Sequence, residues 1–251
     1  MTGGTLPDST LQPGLTILLP CLNERRTVAR TVYRAVDGLA GIEGITEVLV
    51  ADDASTDDSA VLALEAGARV VTLDRDTQHG YGAAIRYGLE HVRTNRVIIA
   101  DADDTYPVGD QETIRRFLAD MTEDSFVVGN RWAHGTGSRG PLLNRIGTSI
   151  LSAFGRTIAK VDVRDFHCGM RGGYTETVRR LGRGSTGFEW ASTSILDAAD
   201  MGLRFVQPPV RLKTPLAGRS SHIRPVKDAV RHIDAIAAHE RMWWHATPPQ
   251  T

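Results

Sequence analysis

Apolar residues occur in two kinds of block along the N-terminal part of the chain, short continuous runs and stripes at helical spacing. Leu15 to Leu19 is a run that stops at Pro20 and reads as a strand. Thr27 to Leu39 places Val28, Val32, Ala35, Val36 and Leu39 at helical spacing. Glu47 to Ala51 is a second strand, and Ser59 to Ala66 continues as helix after the cap-rich Asp53-Ala-Ser-Thr-Asp. Arg69 to Leu73 predicts a third strand, Gly80 to about Val92 a helix, and Arg96 to Ala100 a fourth strand. This β-α-β-α-β-α-β order predicts an α/β fold with a parallel sheet and crossover helices.

The second half is less regular. It predicts a helix over 112–119, a strand from Ser125 to Gly129, a Gly-rich loop over 133–141 and an amphipathic helix from about Leu142 to Ala159. A turn over 165–173 follows, then a helix from Gly187 to about Met201. Phe205 to Val210 contains Pro208-Pro209 and is an edge strand at most. A loop at 218–222 leads to a last helix from Val226 to Trp244, with Val226, Val230, Ile233 and Ala237 on one side. A single domain is expected over 15–245, between an N-terminal arm (1–14) and a tail (246–251).

Each strand of the first half is followed by a polar cluster: Asn23-Glu24, Asp52-Asp53, His79-Gly80, and Asp101 with Asp103. In a parallel sheet these share one rim, where α/β folds bind ligands. Two carboxylates one residue apart suit a hard cation. Mg²⁺ typically takes one or two of them and fills its other positions with water and phosphate. Asp101 and Asp103 are therefore expected to form a metal-diphosphate site, against the bland alternative of solvated loop acids. Asn23 and Glu24 suit helix capping as well as ligand contact. Two successive acids at 52–53 exceed one cap, which favours ribose or base contact. Gly80 and Gly82 fit either backbone approach to a nucleotide or close helix packing.

Composition narrows the classes. The chain has 251 residues, 41% hydrophobic and 24% charged, as expected for a soluble globular domain. A net charge of -1 gives no global basic field for nucleic acid. Cys21 and Cys168 fit neither a disulfide framework nor a zinc cluster, and His79, His134 and His167 lack zinc-motif spacing. No run of apolar residues is long enough to span a bilayer, and the N-terminus does not look like a signal peptide. A cytoplasmic location is expected. The apolar stripe and basic side (Arg145, Arg156, Lys160) of the 142–159 helix, with Trp243 and Trp244, leave peripheral membrane contact and a homodimer face open.

The ordered set Pro20-Cys-Leu-Asn23-Glu24, Asp52-Asp53-Ala-Ser55, Gly80-Tyr-Gly82-Ala-Ala and Asp101-Ala-Asp103 resembles the family 2 glycosyltransferases. Gly129-Asn-Arg131, Asp165-Phe-His-Cys-Gly-Met-Arg171, Gly187-Phe-Glu189 and Gly218-Arg-Ser220 are similar to the branch of dolichol-phosphate mannosyltransferases and bacterial polyprenyl-phosphate glycosyltransferases. The resemblance implies a GT-A nucleotide-sugar-binding fold, a mostly parallel central sheet flanked by helices. It divides the domain into a nucleotide-binding half (15–107) and an acceptor-binding half (108–245). It implies inverting transfer from a UDP- or GDP-sugar, with Mg²⁺ or Mn²⁺ on Asp101 and Asp103. Nucleotide contacts carry over to Pro20, Leu22, Asn23, Glu24, Asp53, Gly80, Gly82, Asp101 and Ala102. Arg131, and Arg145 with Ser149 one turn on, match positions that contact a polyprenyl phosphate. Arg171, Arg219 and His222 are candidates to close over the diphosphate.

A phosphate acceptor is already ionised, whereas a hydroxyl of a soluble acceptor needs a general base, for which Asp165 and Glu189 are the candidates. Glu189 also reads as an ordinary first-turn acid. Lipid-linked relatives often carry C-terminal membrane helices. This chain ends at Thr251 without one, so a soluble acceptor stays open. Two rivals come from other classes. Asp101-Ala-Asp103-Asp104-Thr105 satisfies the pattern of haloacid-dehalogenase phosphatases, with Asp101 as nucleophile, and a non-catalytic nucleotide-sugar binder would share the same rim. Gly80, Gly82 and Gly88 miss the dinucleotide fingerprint.

Overall fold

The computed structural model describes residues 11–133, 161–214, 216, 231–234 and 237. In chain order they form β1 (Gln12–Cys21), α1 (Val28–Leu39), β2 (Ile45–Asp52), α2 (Ser59–Glu65), β3 (Arg69–Thr72), α3 (Tyr81–His91) and β4 (Thr94–Ile99). Then come α4 (Gln111–Ala119), β5 (Ser125–Val128), β6 (Arg171–Tyr174), α5 (Thr175–Arg179), α6 (Trp190–Asp200) and β7 (Arg204–Val206). One seven-stranded sheet has the order β3-β2-β1-β4-β6-β5-β7. β6 runs antiparallel to β4 and β5, and every other pairing is parallel.

The apolar runs form strands because both faces of the sheet are covered. Leu15, Ile17, Leu18, Leu49, Val50, Val97, Ile98 and Ile99 are fully buried, so continuous rather than alternating hydrophobicity is what the position demands. α1 packs on α2 and α4, while α3 packs on α5 and α6, which gives the two helical layers. Chain order reverses direction between β1 and β4, the switch point outside whose carboxyl ends α/β sheets hold ligands.

The structure departs from expectation in several places. β1 begins at Gln12, inside the expected arm. Arg171–Tyr174 is a central strand and not part of a turn. Gly172-Gly173 reads as a turn in sequence, yet a Cβ on Gly172 would lie 2.8 Å from the Val97 carbonyl of the neighbouring strand. Val36, assigned to the buried stripe of α1, is 46% exposed. In the described part of the last helix His232 is buried and Ile233 faces out, an offset of one residue. Both cysteines are free and buried, as expected.

Gly38 fixes how close α1 comes to the acidic loop that follows β4. A Cβ there would sit 2.0 Å from the Val108 carbonyl oxygen. Gly38→Ala is expected to destabilise the fold by about 1–3 kcal/mol through overpacking, despite Ala's better helix propensity. Gly184→Ala, with nothing within 4 Å of the new Cβ, is expected to stay within about 0.5 kcal/mol of the parent. Chemical denaturation of the two variants checks this. Equal stabilities would contradict the close approach.

Candidate active site

The ends of β1, β2 and β4 are aligned by their hydrogen bonds. Cys21 is paired with Asp52, the Asp53 amide donates to the Cys21 carbonyl, and the Ala100 amide donates to the Leu18 carbonyl. Asn23, Asp53, Asp101 and Asp103 therefore emerge on one rim. Asn23, Ala54 and Asp104 lie in the loops after these three strands and are the described non-glycine residues with positive φ, at 53°, 54° and 62°. Such backbone costs on the order of 1–3 kcal/mol per residue and persists where surrounding contacts enforce it. Here the contacts join loop to loop. The Asn23 amide donates to Ser55 Oγ at 2.9 Å, and Asn23 Oδ1 accepts from the Thr56 amide at 2.8 Å. Asn23 thus binds the second loop and does not cap α1, and Glu24 Oε2 accepts from Thr27 Oγ1 at 2.9 Å.

Asp53 is held at both oxygens. The Gly80 amide donates to Oδ2 at 2.8 Å, and His79 Nδ1 lies 2.7 Å from Oδ1. Gly80 and Gly82 have a packing reason for lacking side chains. Their Cβ atoms would approach the Thr186 and Ser185 carbonyls to 2.5 and 2.6 Å, and the Ala83 amide already donates to Thr186 O.

The three acids after β4 separate by partner. Asp101 Oδ1 accepts from the Tyr81 hydroxyl at 3.0 Å, and Asp103 Oδ1 accepts from the Thr105 amide and hydroxyl at 3.0 and 2.5 Å. Asp104 gathers the cations, with Arg34 at 2.5 Å, Lys213 at 3.4 Å and Arg30 at 3.8 Å. Asp101 and Asp103 thus offer hard oxygen donors, each oriented by a hydroxyl, which is the donor chemistry Mg²⁺ or Mn²⁺ accepts. Burial first, and then Asp101, raises the Tyr81 pKa well above its ordinary value, so its hydroxyl keeps the proton it donates. Phe188 stacks on the Tyr81 ring at 5.1 Å.

The segment before β6 crosses this site. Gly169 lies against the Asp101 carboxylate, where a Cβ would be 3.0 Å from Oδ2, and its amide donates to the Tyr106 hydroxyl at 2.6 Å. Burial, first of all, raises the Tyr106 pKa well above its ordinary value, so this hydroxyl stays protonated. Arg131 forks onto Asp165, Nε to Oδ2 at 2.6 Å and Nη2 to Oδ1 at 2.7 Å.

Two expectations are corrected. Asp165 is fully buried, with both oxygens taken by Arg131, so it orients that arginine and cannot reach an acceptor proton as a base. Arg171 does not close over a diphosphate. It is fully buried and donates to the carbonyls of Cys168, Ala191 and Phe166 and to Ser194 Oγ, at 2.5–2.8 Å. Burial lowers its pKa, and no anion is needed to satisfy it. Glu189 Oε1 accepts from the Thr186 and Gly187 amides at 3.1 and 2.8 Å, while Oε2 is buried with no partner among the described residues. Arg145, Ser149, Arg219, His222 and His134 lie outside the described residues. Tyr81, Tyr106 and Lys213 are contacts that sequence reasoning missed. Only Tyr81, inside the Gly80-Tyr-Gly82 motif, had a signal to find it by.

Replacing Arg171 by Met is expected to cost about 3–5 kcal/mol, because it strands three buried carbonyls and a hydroxyl. Urea denaturation measures the loss. A change under about 1 kcal/mol would contradict the role of Arg171 as an internal staple.

Comparison with known proteins agrees with this geometry. Residues 16–182 match Glycosyl transferase family 2. The low-salt glycan biosynthesis hexosyltransferase Agl6 of Haloferax volcanii is 31% identical over 233 residues, 90% of this chain and 54% of that protein. The chain thus spans about half the length of that relative. The undecaprenyl-phosphate 4-deoxy-4-formamido-L-arabinose transferase of Sodalis glossinidius is 32% identical over 119 residues, 46% of this chain and 36% of its own. Glucosyl-3-phosphoglycerate synthase from Mycobacterium tuberculosis, solved with Mn²⁺, UDP and glucosyl-3-phosphoglycerate, superposes with a TM-score of 0.69 at 19% identity. That match covers 90% of this chain and 80% of the other, and it shows the shared GT-A fold. The phosphatase reading fails, since the Asp-x-Asp motif follows the fourth strand, inside the matched region. The chain belongs to glycosyl transferase family 2.

Proposed function

We propose that the chain transfers a sugar, with inversion, from a nucleoside-diphosphate sugar to an acceptor that presents a phosphate. The observation that carries this reading is an acidic pair just after β4 accompanied by an arginine fixed just after β5. Asp101 and Asp103 are steered by hydroxyls, and Arg131 is held rigid by Asp165.

Asn23, Glu24 and Asp53 line the nucleoside end, with Pro20, Leu22 and Ala102 alongside. Tyr81 and Thr105 orient the carboxylates of Asp101 and Asp103, which would hold a cation on the diphosphate. Mg²⁺ or Mn²⁺ bound by that pair would supply Lewis-acid neutralisation of the charge developing on the leaving diphosphate. The Mn²⁺ and Mg²⁺ complexes of the solved glucosyl-3-phosphoglycerate synthase support this assignment. Arg131 fits an acceptor phosphate, because a guanidinium already oriented by a carboxylate loses little freedom on meeting an anion. An ionised phosphate attacks without a base, which agrees with Asp165 being unavailable.

The undecaprenyl-phosphate relative supports a polyprenyl phosphate, and the solved synthase supports a soluble phosphorylated acid. Among the described residues no helix is long and apolar enough to cross a membrane. A second reading is transfer to a hydroxyl, whose proton Glu189 Oε2, without a hydrogen-bond partner among the described residues, would take.

A thermal-shift screen of UDP, GDP, CDP and TDP with Mn²⁺ identifies the donor nucleotide. Transfer assays then compare a short polyprenyl phosphate in micelles, 3-phosphoglycerate and an unphosphorylated sugar. Arg131→Lys keeps the charge but loses the fork. It is expected to raise the acceptor KM about tenfold or more while leaving nucleotide affinity within about twofold. Equal losses for donor and acceptor, or full activity on the unphosphorylated sugar, would defeat the phosphate assignment.

A further inference from the structure

His79 lies in the exposed loop before α3 and is not required by the chemistry above. Its two ring nitrogens both face oxygens that have no proton to give. Nδ1 is 2.7 Å from Asp53 Oδ1, and Nε2 is 3.0 Å from the Arg75 carbonyl. A neutral imidazole has one N–H and satisfies only one of these acceptors, whereas the imidazolium satisfies both. The side chain is 36% exposed, so it can exchange its proton with solvent, while the Asp53 side chain is 5% exposed. The charged groups facing His79 are Asp53 and Asp74, both acidic, and Arg75 faces it through its backbone carbonyl. All three favour the cation.

We propose that His79, as the imidazolium, is a positioning residue that clamps Asp53 for the nucleoside, so that nucleotide binding weakens as this histidine loses its proton. This inference rests on the nucleoside role given to Asp53 above. With the proton on, Oδ1 is fixed by His79 and Oδ2 by the Gly80 amide, and the carboxylate stands in one orientation with its charge compensated. With the proton lost, either the Asp53 bond or the Arg75 bond is given up. The carboxylate then adds uncompensated negative charge beside a site for an anionic ligand.

The sign follows from the same geometry. The hydrogen bond to the Arg75 carbonyl, followed by that to Asp53, raises the His79 pKa above its ordinary value. The clamp is therefore complete below about pH 6.5 and is lost as pH rises through the higher, folded-state value.

The test has two readouts. NMR titration of the histidine ring signals gives the His79 pKa in the parent and in Asp53→Asn. It is expected to lie above about 6.5 in the parent and to fall in the variant. Calorimetry with UDP and GDP in Mg²⁺ then compares the parent with His79→Gln at about pH 6 and about pH 8.5. The parent is expected to lose about fivefold to tenfold in affinity over that range. His79→Gln should bind at the weaker level at both values, apart from the small drift that the ligand's own ionisation contributes. Parent-like affinity and parent-like pH dependence in His79→Gln would overturn the clamp alone. Absence of nucleotide binding by the parent at both pH values would overturn the nucleotide reading of the whole site, and the clamp with it.

Discussion

The constraint on which this structure depends is the crowding of carboxylates at one rim. Asp52, Asp53, Asp101, Asp103 and Asp104 all emerge where β2 and β4 end, on either side of β1. Like charges so close would repel, and the fold gives four of the five distinct partners, while Asp52 accepts at Oδ2 from the Ser55 amide. Asp53 takes a histidine and an amide, Asp101 a tyrosine hydroxyl, Asp103 a threonine, and Asp104 two arginines and a lysine. Lys213 shows the tension in this arrangement, since burial lowers its pKa even with Asp104 beside it.

Backbone strain is distributed on the same logic. Asn23, Ala54 and Asp104 occupy left-handed backbone in three separate loops, which follow β1, β2 and β4. Their cost is met by the core beneath, where β1, β2 and β4 bury Leu15, Ile17, Leu18, Leu49, Val50, Val97, Ile98 and Ile99. On the far side, Arg171 plays the matching internal role, stapling the segment before β6 to α6 and so fixing Gly169 against Asp101. Arg131 and Asp165 then present a rigid guanidinium beside that segment.

Much of the fold and of the acidic rim is legible in the sequence. The first four strands and their helices stand out because buried parallel strands carry uninterrupted apolar runs and their polar clusters fall on one rim. Asp53, Asp101 and Asp103 stand out because an acid placed directly after such a run sits at the ligand-binding edge of the sheet. β6 does not, since Gly172-Gly173 looks like a turn until the neighbouring Val97 carbonyl is seen to need the space. Arg171 and Arg131 are indistinguishable as letters. Burial and partners separate them: Arg171 is fully buried on carbonyls, whereas Arg131 keeps 14% of its side chain exposed and pairs with Asp165. Asp165 likewise reads as a base until its partner is known. The bond between His79 and Asp53 joins loops 26 residues apart and leaves no periodic trace.

The central claim is that Asp101 and Asp103 hold a divalent cation together with the donor's diphosphate. Electron paramagnetic resonance of Mn²⁺, titrated into the protein with and without UDP or GDP, tests it most directly. The predicted result is one bound Mn²⁺ per chain that tightens with nucleotide and is lost in Asp103→Asn, while Asp104→Asn retains it. Nucleotide-dependent Mn²⁺ binding that survives in Asp103→Asn would contradict the claim.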